Sequence, residues 1–288
     1  MIGYLLILLF VLCNLGESIT VKEYAKRYGS GGILMNAVIA LFASLFFLIT
    51  DKGGFYAPAQ MIPLALVNSL LFAIGFYFTY VAFRIGPYGL TRLITSFSLL
   101  FTVFYGILFL DEPTSALTYI GLVLIAGAMV LINYRKKTQE KEEGAISVQW
   151  LIFVCTSVVA NGFIGILTRY QQIRFDNACS NEFQFISIGT SFLLLAIIGL
   201  VADRDKLGKV LKVGSLYGLV AGLFNGAKNF ITLAVYLYVP ISTAGPIKTG
   251  LGMVGAYVVA VLLYKERYTL WQKIGVLSGA CAVILLAI

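Results

Sequence analysis

Four charged side chains lie inside long apolar stretches of this sequence: Glu17, Arg92, Lys228 and Lys248. A charge near the centre of a bilayer costs about 2.5–3.5 kcal/mol on insertion scales, so a charge that is kept there is a candidate for function. The three cations could hold an anionic group of a ligand. Glu17 could bind a cationic group or take up a proton, because burial favours the neutral form of a carboxyl group that lacks a full partner. The alternative for Glu17 is an ion pair or a hydrogen bond between helices.

Lys248 is the strongest single candidate, because it lies two residues after Pro246 in a glycine-containing stretch, 243–250. Glycine and proline interrupt membrane helices, and an interruption frees backbone groups that can coordinate a ligand near the midplane. Lys228 lies in the body of its apolar stretch and is too deep to reach water easily. Arg92 lies about one turn from the start of its stretch, so the alternative for its side chain is snorkelling to the interface.

Three polar faces at helical spacing accompany these charges. The first consists of Thr91, Thr95, Ser98, Thr102 and Tyr105, the second of Gly218, Gly222, Asn225, Asn229 and Thr232, and the third of Asn161, Gly165, Thr168 and Gln172. Serine and threonine in membrane helices often bond only their own backbone, and a face of small residues suits close packing as well as a wet cavity. Tyr77, Tyr80 and Tyr257 could stack on an aromatic ligand or hold a cation.

The composition places these residues in a membrane protein. Of the 288 residues, 60% are apolar and 12% are charged, and the mean hydropathy is +0.93, whereas a soluble domain has about 25% charged residues. The sequence has no histidine, which excludes Ser-His-Asp catalysis and histidine-bound zinc. The net charge of +8 comes from Lys and Arg at the ends of apolar stretches, where anionic lipid head groups, and not nucleic acid, would meet them. We expect no enzyme activity, no cofactor and no metal.

Ten apolar stretches are predicted to form transmembrane helices. They cover about residues 3–27, 32–50, 59–83, 88–110, 115–134, 149–173, 182–202, 213–238, 242–264 and 268–288. A charged linker, 135–148, divides the chain into a first half, 1–134, and a second half, 149–288, with five helices each. A shift of 154 residues pairs Glu112 with Glu266, which indicates an internal repeat. Because five is odd, the second half would be inverted, as in many secondary transporters.

The sequence resembles the EamA-like branch of the drug/metabolite transporter superfamily over nearly its whole length. The most specific stretches are 86–132, in which an apolar helix ends at Glu112, and its counterpart 240–287, which contains Glu266; residues 12–18 resemble the start of the family. The resemblance implies a ten-helix carrier in which helices 1, 3, 4, 6, 8 and 9 surround a central cavity and helices 5 and 10 lie outside. Carriers of organic phosphates and nucleotide sugars in this superfamily have a lysine near the position of Lys248. We interpret Glu112 and Glu266 as structural carboxylates at the positive end of the helix that follows each.

Two arguments disagree about orientation in the membrane. Lys and Arg are concentrated after the odd-numbered helices, for example at 135–137 and 204–212, and the positive-inside rule then puts both termini outside. The family resemblance implies that both termini lie inside.

We predict a multi-pass protein of the cell (plasma or inner) membrane that carries a small polar metabolite, such as an amino acid or another zwitterionic or anionic solute, by alternating access. Its partners would be the substrate, the lipid bilayer and the proton as coupling ion, with Glu17 as the coupling carboxylate. The alternatives are a flippase for a lipid-linked head group and a membrane scaffold or receptor without transport. The sequence does not determine an oligomeric state. The predicted substrate-binding residues are Lys248, Lys228, Arg92, Ser98, Thr95, Asn225, Tyr77 and Tyr257.

Overall fold

The computed structural model describes residues 2–29, 31–51, 53–85, 91, 94–95, 97–133, 147–263 and 269–287. Within these ranges the chain is helical and contains no strand. The helices are α1 (Ile2–Tyr28), α2 (Gly32–Thr50), α3 (Met61–Ile85), α4 (Leu99–Phe109), α5 (Ala116–Asn133), α6 (Val148–Arg174), α7 (Ser180–Ala202), α8 (Ser215–Val235), α9 (Ile241–Leu262) and α10 (Leu270–Ala287). Short 3₁₀, α and π turns between 204 and 214 lead into α8.

The surface of the helices is apolar, as a bilayer requires. Large side chains such as Ile49, Leu108 and Val201 are largely exposed to the surroundings, which would be costly in water and is favourable in lipid. In the described part of the chain, six helices are long and apolar enough to cross a membrane by length and composition, and three shorter ones are also apolar. The prediction of an all-helical, multi-pass membrane protein is therefore confirmed.

The main helix contacts connect the first five helices with the last five. α1 packs on α8 and α9, α2 on α7 and α8, and α3 on α6 and α7. α4 packs on α6 and α9, and α5 on α10. Suppose that each helix is exchanged for the one five positions away, so that α1 becomes α6 and α8 becomes α3. The α1–α8 contact then becomes α6–α3, α2–α8 becomes α7–α3, and α1–α9 becomes α6–α4, and all of these contacts are present. α9 also packs on α10, whereas α4 and α5 make no comparable contact. The other main contacts of the described helices follow a two-fold pattern, and this one departs from it.

The sequence predicts an interruption in the ninth helix. This prediction is wrong, because α9 continues through Pro246. Pro246 is the sixth residue of α9, so its missing N–H removes only one backbone bond, to the carbonyl of Ser242, near the start of the helix. The irregular helix is the fourth. Phe97 and Ser98 form a turn before α4, and backbone bonds such as Ser98 N–H to Thr95 O span three residues instead of four.

Candidate functional site

An ion pair joins α1 to α8 in the interior of the helix bundle. Lys228 Nζ lies 2.5 Å from Glu17 Oε2 and 3.4 Å from Asn14 Oδ1. The other carboxylate oxygen of Glu17 accepts a hydrogen bond of 2.9 Å from Asn225 Nδ2, and Asn229 donates to Asn225. Glu17 therefore forms an ion pair, the alternative that the sequence left open for it.

This cluster is partly accessible. The side chains of Glu17 and Lys228 are 16% and 19% exposed, respectively, while Asn225 is buried. Because Glu17 and Lys228 neutralise each other, the cluster offers a ligand hydrogen-bonding groups without a net charge.

The glycines of α8 serve close packing and not a wet cavity. A Cβ atom added at Gly222 would lie 2.8 Å from Ile39 O and 2.5 Å from the Phe42 side chain, and Gly218 and Gly226 have similar neighbours on α2. The small residues thus bring the α2 and α8 backbones together. Of the second polar face predicted from the sequence, only the side that carries the asparagines faces α1.

Lys248 lies on α9 between two aromatic rings. Its ammonium is 4.8 Å from the ring centre of Phe10 on α1 and 4.8 Å from that of Tyr236, which follows α8. These cation–π contacts offset part of the cost of burial. Within the described part of the chain, Lys248 has no carboxylate partner. Its ammonium is therefore surrounded by aromatic faces and not by an acidic group of the described residues.

The lysine site and the ion pair lie at different depths. Phe10 marks the level of Lys248 on α1, and Glu17 lies seven residues further along. At 1.5 Å per residue this separates the two levels by about 10 Å. The structure therefore does not bring Lys228 and Lys248 together as one cationic cluster.

Two threonines of the predicted polar face before and within α4 bond the protein's own backbone. Thr95 donates to Thr91 O and Thr102 donates to Leu99 O, while the Thr91 hydroxyl accepts a hydrogen bond from the Trp150 indole. Ser98, at the turn, is half-buried. This part of the face acts mainly in structure, as the alternative reading of such residues predicts.

The remaining predicted residues lie apart from the three interior charges, which are Glu17 on α1, Lys228 on α8 and Lys248 on α9. Tyr77 packs beside Leu195 at the contact of α3 with α7. Tyr257 is half-buried on α9, nine residues after Lys248. Tyr80 donates to the carboxylate of Asp203. Arg92 lies outside the described residues, as does Glu266.

A neutral polar contact joins α3 to α6. The sequence places Asn161 in a polar face, but it predicts neither the contact nor the partners of Asn161. Ser157 is hydrogen-bonded to Thr79, and Asn161 donates to the Ser157 backbone. About three turns nearer the start of α3, Asn68 is fully buried, and its amide has no hydrogen-bond partner among the residues that the structure describes. Isolated serine and asparagine residues in apolar helices give a weak signal, and only the helix pairing shows that they meet.

Acidic side chains cap helices that are distant in sequence. Glu112 accepts backbone N–H bonds from Ile241 and Ser242, of 2.9 and 2.8 Å, at the start of α9. Asp203 accepts one of 2.8 Å from Ile33 in the first turn of α2. The expectation that Glu112 serves the helix that follows it is therefore wrong: Ser115 caps α5, and the carboxylate caps α9.

Two cavities lie away from the interior charges. One, of about 700 Å³, adjoins the start of α1 and the end of α10, with Thr114, Tyr238 and Thr243 in its wall. The other, of about 390 Å³, lies between α3 and α6 and includes Arg174. Neither is lined by Glu17 or Lys248. Across the described residues, no group of three or more His, Cys, Asp or Glu could hold a metal ion.

An all-helical bundle with an apolar surface and charged groups in its interior defines the chain as a multi-pass membrane protein. The EamA-like transporter family matches residues 1–134 and 148–288, and the chain belongs to this family. The family makes it a membrane transporter with a small-molecule substrate, and indicates a carrier and not an enzyme.

Relatives and a solved structure agree with this assignment. The chain is 23% identical over 266 residues to a candidate sugar uptake protein of Listeria innocua, and equally to one of Listeria monocytogenes, with 91% of this chain and 87% of each relative covered. A protein crystal structure superposes with a TM-score of 0.73 at 13% identity, over 99% of this chain and 94% of that one. The last similarity concerns the fold alone.

Proposed function

We propose that this protein is a secondary carrier for a small polar solute and works by alternating access. The observation that carries the proposal is the partly exposed cluster of Glu17, Lys228 and three asparagines inside an apolar helix bundle. Charged groups kept at this depth are expensive, and they are expected where a polar solute passes.

The proposed architecture is two five-helix repeats, 1–134 and 149–288, joined by the linker 135–148 and inserted in opposite orientations. The two stretches matched by the family have nearly these limits, and the two-fold pattern of helix contacts is what such repeats would produce. Rocking of one repeat against the other would open the interior to each side in turn.

For the substrate, Lys248 favours a solute with an anionic group, such as a zwitterionic or anionic metabolite, because this cation lacks an acidic partner among the described residues. Lys228 is less available than the sequence indicates, since Glu17 neutralises it. A neutral sugar is the second candidate. It is favoured by the charge-neutral asparagine cluster and by the names of the Listeria relatives.

The test is flux into liposomes that contain the purified protein. We expect saturable counterflow of one solute class from a panel of amino acids, organic acids and neutral sugars. Lys248→Ala should reduce it, whereas Lys273→Ala, on the exposed side of α10, should leave it unchanged. Absence of flux for every class would refute the proposal, and movement of labelled lipid head groups instead would make the protein a flippase.

Glu17 is proposed as the site of proton coupling, through making and breaking its ion pair with Lys228. Flux of the wild-type protein should depend on pH, and Glu17→Gln should remove this dependence, because the amide carries no ionisable proton. An unchanged pH profile in the variant would refute the coupling role. Fractionation of the native cells should place the protein in the plasma or inner membrane.

A further inference from the structure

The smaller cavity, between α3 and α6, is a groove on the outer surface of the helix bundle. Pro63, Leu64 and Val67 line it on one face of α3, and Tyr170 and Arg174, one turn apart, line it on α6. The Val67 side chain is 53% exposed and that of Tyr170 is 43% exposed, so the groove opens to the surroundings. In a protein that spans a membrane, those surroundings are lipid.

The two helices that form the groove run antiparallel. Gln171 Nε2, near the end of α6, lies 3.9 Å from Met61 Sδ at the start of α3. Further along α3, a Cβ atom added at Gly75 would lie 3.3 Å from Asn161 Nδ2, which comes ten residues earlier on α6 than Gln171. The start of α3 therefore lies beside the end of α6.

The groove is polar at one end and apolar at the other. Gln60, just before α3, and Arg174, the last residue of α6, lie at the end of the groove where the two helices meet their loops. Val67 lies seven residues after Gln60, about 10 Å deeper, and the Tyr170 ring lies about 6 Å deeper than Arg174. A phospholipid has its polar and apolar parts in the same order.

The charge of Arg174 is not compensated within the described part of the chain. Its side chain is exposed, and no ion pair of the described residues includes it. Asp176, two residues further, is also exposed and makes no ion pair with it. At the end of a membrane helix, a long cationic side chain reaches the level of the lipid phosphates.

We propose that this groove binds an anionic phospholipid, with its phosphate on Arg174 and an acyl chain along Leu64 and Val67. The guanidinium fork can donate two parallel hydrogen bonds to a phosphate group. The uncompensated positive charge favours a head group with a net negative charge over a zwitterionic one. The site contacts α3 of the first half and α6 of the second, and it does not depend on the proposed carrier function.

The experiment measures lipid binding to the detergent-purified protein by native mass spectrometry, with phosphatidylglycerol and phosphatidylcholine of identical acyl chains as probes. The wild-type protein should bind phosphatidylglycerol more tightly. Arg174→Gln should weaken that binding about fivefold, the factor expected for one basic residue at a lipid surface, and should leave phosphatidylcholine binding unchanged. Lys273→Gln is the control, because it removes the same charge from the exposed side of α10 and should alter neither affinity.

Val67→Trp tests the apolar end of the groove without a change of charge. The larger ring should fill the groove and weaken the binding of both lipids, whereas Leu66→Trp, exposed but outside the groove, should not. Equal effects of these two variants would overturn the site, also where Arg174→Gln does not fold. Equal affinity of the wild-type protein for the two lipids, full phosphatidylglycerol binding by Arg174→Gln, or binding of soluble glycerol phosphate in place of the lipid would overturn it as well.

Discussion

Single side chains of the same charge have different surroundings in this protein. Lys228 has a carboxylate at 2.5 Å and an asparagine at 3.4 Å, whereas Lys248 has two aromatic rings and no acid within the described residues. A paired charge in a low-dielectric interior contributes to structure, because removal of one partner strands the other. An unpaired charge costs free energy in the empty protein, and an anionic ligand reduces that cost. Lys228 therefore depends on Glu17 for its stability in the interior, whereas a direct contact with an anionic substrate is proposed for Lys248.

The ion pair predicts a double-mutant cycle. Glu17→Gln should lower the free energy of unfolding by about 1–3 kcal/mol, less than a fully buried pair because both side chains are partly exposed. Lys228→Met should cost a similar amount. The double variant should lose less than the sum, with a coupling of about 1 kcal/mol or more. Denaturant unfolding in detergent measures all four proteins, and additive losses would contradict the pair.

How far the sequence predicts the candidate site depends on the partner of each residue. Glu17 and Lys248 can be recognised because a charge inside an apolar run is visible in the sequence itself. The partner of Glu17 is 211 positions away, at Lys228, and no local pattern specifies it.

At the scale of helices, the ends are stabilised by residues from distant parts of the chain. The first N–H groups of any helix lack partners within it, and a carboxylate there also interacts favourably with the helix dipole. Glu112 supplies such a carboxylate at the start of α9, and Asp203 supplies one at the start of α2. The two helices thereby gain a link to the other half of the molecule as well as a cap.

Removal of the α9 cap should destabilise the protein. Glu112→Ala is expected to lower the free energy of unfolding by about 1–2 kcal/mol, because two backbone donors lose their acceptor. Amide hydrogen exchange should become faster at Ile241 and Ser242. Asp111→Asn is the control, as Asp111 is exposed and its φ of 48° is a conformation that asparagine tolerates. Unchanged exchange in Glu112→Ala would contradict the role of the cap.

The α2–α8 contact gives a second prediction for this scale. Gly222→Ala should destabilise the protein by about 1–3 kcal/mol, because the new methyl group would meet the α2 backbone at Ile39. Gly127→Ala, on α5, has no neighbour within 4 Å and should be neutral or stabilise the helix by up to about 1 kcal/mol. Thermal unfolding of the two variants compares them directly. Equal melting temperatures would show that the helices can separate without cost.

Helix positions are well predicted by apolar periodicity, because a membrane helix needs a long uninterrupted apolar stretch. The described helices α1–α3 and α5–α10 begin and end within about three residues of the predicted segments, as is usual for helix limits. The irregular turn before α4 was not predictable, since 94–98 contains neither glycine nor proline. At Pro246 the error was the opposite, because the sequence predicted an interruption where the helix is continuous. Proline is tolerated there because it lies near the start of the helix.

For the whole molecule, contacts between helix ends define two opposite faces. The cavity lined by Ile2, Ser115, Pro240 and Leu285 places both ends of the described chain on one face. On the other face, Lys209 donates to Tyr28 O and Asp203 reaches α2. An even number of crossings is consistent with this arrangement, whichever face is cytoplasmic.

Cysteine labelling tests the two faces and settles the orientation. In a background with Cys13, Cys155, Cys179 and Cys281 replaced by alanine, Ser115→Cys and Lys209→Cys should react with an impermeant maleimide from opposite sides of the membrane. Both should react after permeabilisation, which controls for accessibility. Labelling of Ser115→Cys in intact cells agrees with the positive-inside rule, and labelling of Lys209→Cys agrees with the family. Reaction of both from outside would contradict the topology.

The caps at α2 and α9 also bear on the order in which the protein is made. Ile33 is synthesised 170 residues before Asp203, its hydrogen-bond acceptor, so the first turn of α2 enters the membrane without its cap. Ile241, by contrast, is synthesised after Glu112, so its hydrogen-bond acceptor is already present when α9 is made. The half that is translated first can therefore reach its final hydrogen bonding only when the second half has been inserted beside it. The first half thus depends on the second half for the last of its helix caps.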